Sequence, residues 1–238
     1  MTAAVIPPVT PSRQPLAEEV PPLEQGDTLT RAEFHRRYST MPNVKKAELI
    51  EGVVHMPSPT KYKRHGEPHS SINGWLTVYA ALTPGVQAAS NTTIFLDLSN
   101  ELQPDVLLRI APDYGGQTKD TEDDYLTGAP ELVAEVASSS AAVDMNQKKR
   151  AYLRNGVREY LVWLTREDRI VWWSLKDSDY QPLAADERGV IRSEVFPGLW
   201  LDARALLAGD MANVLDVLRQ GLDSAGAQDF RATLKPNT

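Results

Sequence analysis

The apolar positions of this chain change period several times along its length, and each change marks an element. Ile72, Trp75, Leu76, Tyr79 and Leu82 recur at helical spacing, which predicts a helix over about 67–82 that stops before Pro84. GVQAAS, TTIFLDL and PDVLLRI (104–110) are short and rich in β-formers. The last reads as a central strand, because Pro104 stands at its start, where a missing N–H is tolerated. LVAEVAS, REYLVWLT and RIVWWSL read as further strands, with a helix from Val143 to Leu153 between the first two, and VIRSEVFPGLWLD reads as a final pairing segment. AELIEGVVHM (47–56) reads as two strands that can turn at Glu51-Gly52. Thr30 and Glu33 stand at capping-box spacing and open a short helix through Phe34 and Tyr38, while ARALLAG and MANVLDVLRQG give a short and a longer helix near the carboxy terminus.

Strands interrupted by two helices of about three turns or more indicate a central mixed β-sheet flanked by helices, an α/β (α+β) arrangement distinct from a doubly wound fold. Residues 1–28 carry Pro7, Pro8, Pro11, Pro15, Pro21 and Pro22 with little apolar periodicity and read as a flexible leader. The domain is expected over 29–208, followed by a carboxy-terminal helix and tail over 209–238, frayed from 221 onward. Residues 111–128, rich in Gly, Asp, Glu and Thr, read as an exposed excursion.

At 238 residues and 42% hydrophobic, the chain has material for a substantial core. No apolar run reaches the roughly 18 residues of a membrane span and no secretory signal is present, so a cytoplasmic location without membrane attachment is expected. The absence of cysteine excludes disulfides and thiolate metal sites. A net charge of −7 argues against coating nucleic acid by bulk attraction, although KYKRH (61–65) is a local basic patch, either a solvated loop or the border of an acidic site.

The chemistry centres on Glu135 in LVAEVAS, since an unpaired carboxylate in a core costs several kcal/mol and needs a partner, a metal or an opening to water. If PDVLLRI and LVAEVAS are neighbours, Asp105 and Glu135 converge at one end of the sheet. Mg²⁺ or Mn²⁺ would relieve their repulsion, with the Val136 carbonyl as a further oxygen. Downstream, Asp144, Lys148 and Tyr152 stand at i, i+4 spacing. Lys148 can then offset charge on a scissile phosphate, Asp144 cap the helix or pair with Lys148, and Tyr152 support the lysine or pack. The plain alternative is an exposed Asp144–Lys148 ion pair worth only about 0.3–0.5 kcal/mol. His69 is open between orienting a phosphate or water and lying in solvent with His65; a two-histidine zinc site lacks a third ligand. Trp163, Trp172 and Trp173 suit base stacking, but alternating strand aromatics more often fill a core or a dimer contact.

An ordered set of segments resembles the Uma-two family of restriction-endonuclease-like proteins, a branch of the PD-(D/E)XK nuclease superfamily. The set comprises ELIEG (48–52), MPSP (56–59) with His69 after it, PDV (104–106), PELVAEVASSS (130–140), the ladder Asp144, Lys148 and Tyr152, Gly156-Val157 with Glu159-Tyr160, and FPGLWLD (196–202). The resemblance implies a restriction-endonuclease-like core in which Asp105 and Glu135 bind the metal. Glu48 completes the cluster, with Glu51 as the other acidic residue of ELIEG; strand alternation lets only one of them face the site. Ala137 stands where the superfamily motif asks for lysine, and the migrated lysine of this family maps to Lys148, with Lys149 beside it. Metal-dependent cleavage of DNA and a homodimer are further implications. The chain shows no target-reading module, which leaves room for an unidentified specificity partner. A catalytically inactive nucleic-acid-binding or oligomeric structural protein on the same fold is the competing expectation, and two-carboxylate glycoside hydrolysis finds no support in the lysine ladder.

Overall fold

The computed structural model describes residues 20–236, so the leader through residue 19 lies outside the described residues. From residue 20 onward the leader is held in place: Leu23 is buried against Phe34 and Thr28 bridges to Val53. Helix α1 (Arg31–Tyr38) starts at Thr30, whose hydroxyl accepts the Glu33 N–H at 3.3 Å, the cap expected from the sequence. Strands β1 (Glu48–Ile50) and β2 (Val53–His55) form a hairpin through Glu51 and Gly52. Both turn residues lie at positive φ, the backbone of a type I′ turn.

A π-helical turn over Tyr62–Gly66 leads into α2 (Glu67–Ala81). Then come β3 (Val86–Ser90), β4 (Ile94–Asp97), β5 (Asn100–Leu102) and β6 (Val106–Ile110). The expected excursion at 111–128 is only partly one: it contains β7 (Lys119–Asp120) and β8 (Leu126–Thr127), and Leu126 is buried. After β9 (Leu132–Ala137), a π-helical segment over Val143–Lys148 continues as α3 (Lys149–Asn155). Strands β10 (Glu159–Leu164), β11 (Arg169–Lys176), β12 (Asp179–Pro182), β13 (Val190–Arg192) and β14 (Trp200–Asp202) follow, then helices α4 (Ala203–Leu207), α5 (Met211–Leu222) and α6 (Ala225–Thr233). Helix α6 replaces the expected frayed tail: Ser224 caps it, Ala227 is buried and Phe230 packs on the core.

The expected mixed α+β arrangement is present, and among the described residues it is built from two six-stranded mixed sheets and a small pair, β13–β14. The larger runs β12-β11-β10-β9-β6-β3, parallel only between β9 and β10; the other runs β2-β1-β5-β4-β8-β7. Alternation along β9 decides the layers. Leu132, Ala134 and Val136 face α2 and the carboxy-terminal helices, together with Trp75, Trp172, Val214 and Leu218. Val133 and Ala137 face the opposite way, toward Ile50 and Leu102 of the second sheet and Tyr152 of α3, and Glu135 shares their parity. Trp163, Trp172 and Trp173 are all buried, the core role favoured for them in the sequence.

Gly221 shows how tightly the carboxy-terminal helices are seated. A methyl group there would collide with the Gly198 carbonyl and stand 2.7 Å from Trp200 Cγ. Glycine to alanine inside a helix ordinarily gains up to about 1 kcal/mol. Here Gly221→Ala is expected to lose about 1–3 kcal/mol by overpacking, read as a lower urea midpoint at unchanged slope; a higher midpoint would mean that α5 has room to retreat.

Candidate active site

Pairing register brings the first two carboxylates together. Strands β6 and β9 are antiparallel with Val106 opposite Ala134, so the next step sets Asp105 opposite Glu135, and directly opposed residues share a face. The Asp105 N–H lies 3.4 Å from Glu135 Oε2, and the Val136 N–H donates to Asp105 Oδ2 at 2.8 Å. A strand residue turns its N–H and C=O to the same flank, so the Val136 carbonyl is on the Asp105 side of β9. Glu48 shares with Ile50 the face of β1 that meets the larger sheet, and its Oε1 accepts the Gln103 N–H at 2.9 Å. Glu51, in the turn, pairs instead with Arg150 at 2.7 Å and Arg154 at 3.1 Å.

The helix after β9 supplies the remaining groups. In a regular α-helix, residues eight apart drift about 80° around the axis. The wide π-helical turn over Val143–Lys148 takes up that drift, so Asp144, Lys148 and Tyr152 all reach the cluster. Lys148 Nζ lies 2.9 Å from Glu135 Oε1, 3.0 Å from Glu48 Oε1 and 3.6 Å from Asp144 Oδ1. Tyr152 donates its hydroxyl to Glu135 Oε1 at 2.9 Å. Asp144 thus pairs with Lys148 and caps nothing, and the pair is buried, not the exposed one that spacing alone allowed. Lys149 turns away, its ammonium 4.1 Å from the centroid of the Trp173 ring.

Three basic groups stand on Asp105 from the outer side. Lys46 Nζ is 3.6 Å from Oδ1 and His65 Nε2 is 3.3 Å from Oδ2, while His69 donates from Nε2 to the Asp105 backbone carbonyl at 3.0 Å. The His65 and His69 rings stack with centroids 5.8 Å apart. Sequence reasoning passed over Lys46 and left His65 open between solvent and the border of the site. The signal available for both was the basic character of KK (45–46) and KYKRH beside acidic segments.

Glu48, Asp105, Glu135, Asp144 and Lys148 are each at most 4% exposed, so their charges are compensated by one another, not by water. Burial, reinforced by the Asp105 and Asp144 carboxylates, pushes Glu135 up to about 8 despite Lys148. Asp144 is raised as well, chiefly by burial. Asp105 is held below the usual carboxylate range because His65, Lys46 and Lys148 outweigh its burial; Lys148 and Lys46 do the same for Glu48. Burial would discharge Lys148, but Glu135, Glu48 and Asp144 keep it charged, its pKa well above the ordinary value. Burial and Glu135 raise the Tyr152 hydroxyl, which remains a donor. Negative charge is in excess, and burial together with the Asp105 and Asp144 carboxylates favours protonation of Glu135.

Among the described residues, no three histidine or acidic side chains stand ready-grouped around a metal position. Two opposed carboxylates with the Val136 carbonyl beside them are nonetheless hard oxygen donors with negative charge to spare. That donor set fits a small divalent cation that keeps part of its water shell.

A folded Glu135 that titrates near 8, against 4.5 unperturbed, stabilises the fold fully below the unperturbed value, and that contribution is lost as pH rises through about 8. In chelating buffer the Tm should therefore fall between about pH 5 and pH 8 and level off above that, and fall less in Glu135→Gln. Glu159, raised mainly by burial to about 7, contributes to both proteins alike. Equal losses in the two proteins would mean that Glu135 is ionised in the folded site.

The model of the Uma2 family, described as "Putative restriction endonuclease", matches residues 31–204. A crystal structure from Anabaena variabilis ATCC 29413, described as "a putative nuclease belonging to DUF820", aligns with a TM-score of 0.55 at 13% identity, covering 73% of this chain and 97% of that one. At that identity the likeness shows the fold alone. A search of curated proteins gave no match. The family match runs from α1 through β14 and includes every residue of the buried cluster, and the chain belongs to the Uma2 family of restriction-endonuclease-like proteins.

Proposed function

We propose that this protein is a divalent-metal-dependent endonuclease that hydrolyses phosphodiester bonds in DNA. The observation that carries the reading is the register-opposed pair Asp105 and Glu135, with Lys148 delivered to Glu135 from the following helix while Ala137 leaves the usual lysine position empty. The restriction-endonuclease description of the family supplies DNA as the substrate class.

Asp105, Glu135 and the Val136 carbonyl would hold Mg²⁺, with Mn²⁺ as a substitute, and the cation when bound supplies Lewis-acid activation of water and phosphate. Lys148, locked in its charged form by Glu48 and Asp144, offsets the negative charge that develops on phosphorus. Tyr152 fixes the Glu135 carboxylate, and His69 fixes the backbone of Asp105. Water attacks in line with the departing 3′-oxygen; a new P–O bond forms, the P–O3′ bond breaks, and a second water protonates the leaving oxygen, giving a 5′-phosphate and a 3′-hydroxyl. Lys46 and His65, with the exposed Lys61, Lys63 and Arg64, give an otherwise acidic chain a basic border that meets the DNA backbone.

No helix among the described residues is long and apolar enough to cross a membrane, in keeping with the cytoplasmic location that we propose. A homodimer would present two such sites to the two strands of a duplex. An unidentified partner for target choice is part of the same reading.

One observation favours a second reading, a catalytically silent nucleic-acid-binding or oligomeric structural protein. Lys148 is engaged by three carboxylates at once in a cluster closed to water, a geometry that equally serves to hold two sheets and a helix together.

Supercoiled, linear and single-stranded DNA, incubated with Mg²⁺, Mn²⁺ or EDTA, separates the two. Cleavage is expected only with metal, and to drop by about 10²–10³-fold or more in Asp105→Ala and in Lys148→Ala. Lys148→Ala also leaves buried carboxylates unpaired and is expected to cost about 3–5 kcal/mol, so its folding is verified by circular dichroism. Metal-dependent cleavage that survives both substitutions would overturn the assignment of the site. Wild-type protein that cuts nothing under any condition would leave the passive reading in place.

A further inference from the structure

Behind the cluster, on the outer face of the second sheet, a cavity of about 240 Å³ opens between α1, the 41–44 loop and strands β4 and β5. Rings of His35, Tyr38 and Tyr125 line it, with Glu101 and Gln103 as its polar groups and Met41 as an apolar wall. Glu101 is opposite Leu49 in the β1–β5 pairing, on the face turned to α1 and away from Glu48. It is 1% exposed. One carboxylate oxygen lies 2.9 Å from His35 Nδ1, whereas the other is buried with no hydrogen bond at all. Leaving such an acceptor unsatisfied costs about 1–3 kcal/mol, a cost that an incoming donor would remove.

We propose that this cavity binds an unstacked nucleobase bearing an exocyclic amino group. The base would lie against the tyrosine and histidine rings and, once the Glu101 side chain turns its unpaired and now closed-off oxygen into the cavity, donate an N–H to it, the combination of stacking and edge hydrogen bonds by which extruded bases are read. A volume below the roughly 300–1,000 Å³ of pockets for drug-sized ligands suits one base. Thymine and uracil lack the amino group, and their ring N–H sits between two carbonyl oxygens that a carboxylate repels. Adenine, cytosine and guanine escape that penalty. Gln103 joins the cavity to the cluster: its side-chain amide donates to the Tyr38 hydroxyl and to Thr93 Oγ1, and its backbone N–H donates to Glu48. Asp105 follows two residues later. A base held here would belong to a strand whose backbone runs on to the phosphodiester site, and the inference rests on the nuclease reading for that source of the base alone.

Nucleosides test the cavity without engaging the phosphodiester site, because they carry no phosphate. Wild-type protein in EDTA is titrated with deoxyadenosine, deoxycytidine, deoxyguanosine and thymidine, followed by calorimetry and by amide chemical shifts. At least one amino-bearing nucleoside should bind saturably, and thymidine about tenfold more weakly or not at all. Glu101→Gln and Tyr125→Leu should each weaken binding by about tenfold or more, with circular dichroism confirming that both fold. Asp105→Ala should bind as wild type does, so a failed cleavage assay and a failed cavity are told apart. Absence of saturable binding to wild type, thymidine binding as well as the others, or a folded Glu101→Gln that binds unchanged would each overturn the proposal. So would tetramethylammonium binding more tightly than any nucleoside, which would make the cavity a cage for cations.

Discussion

A single ammonium group, that of Lys148, lies among carboxylates that reach it from three separate elements: Glu48 from β1, Glu135 from β9, and Asp144 from its own helical segment. A charge taken out of water must find its compensation inside the protein, and here the compensation is shared across a strand of each large sheet and the helix between β9 and β10. Withdrawing any one of these groups leaves the others unbalanced. The constraint fixes where the second sheet docks on the first, since Glu48 can meet Lys148 only if β1 lies over the end of β9. The apolar contacts of Ile50 and Leu102 with Val133 and Tyr152 follow from the same docking.

Other buried carboxylates set off what is peculiar to this cluster. Glu131 accepts the backbone N–H groups of Ile110 and Gln117, and Glu159 accepts those of Glu194 and Val195 with the Ser193 hydroxyl. Each fastens a loop to a strand with donors that cannot move far. Glu48 and Glu135 each accept one backbone N–H as well, from Gln103 and Asp105, but they also gather the Lys148 ammonium and, at Glu135, the Tyr152 hydroxyl, so the same residue type fastens backbone in one place and collects side chains in another. Both faces of the second sheet carry a buried glutamate, Glu48 inward and Glu101 outward; the Gln103 backbone meets Glu48, while its side chain reaches Tyr38 and Thr93 on the outward side.

Much of this was legible in the sequence, for physical reasons that can be named. Strand parity placed Glu135 in a buried strand, and an ordered set of family segments pointed to Glu48 and Lys148. The larger sheet apart from its edge strand β12, the β1–β2 turn at Glu51-Gly52, α2 and the start of α1 all carried periodic or capping signals. Strands β5, β7 and β8 carried none: at two or three residues each, no alternation can be recognised. Helix α6 was hidden because it presents only a few apolar groups, such as Ala227 and Phe230, to the core. Of the basic groups on Asp105, His69 was singled out, but Lys46 and His65 were missed because exposed lysines and histidines look alike in sequence whether or not a carboxylate waits across a loop. The direction of Lys148, against Lys149, depended on a helical pitch that composition does not encode.

That pitch has a consequence for how the gene can vary. A π-helical turn is an α-helix that has accepted one extra residue, and the segment Val143–Lys148 holds its groups in line by virtue of that surplus. Substitutions at exposed positions such as Asn146 leave the count intact. Loss or gain of a single codon there would rotate everything upstream by about 100° relative to Lys148 and Tyr152, and would carry Asp144 out of the cluster while the helix itself survived. The segment therefore behaves as a length-locked spacer, tolerant in composition and intolerant of insertion or deletion.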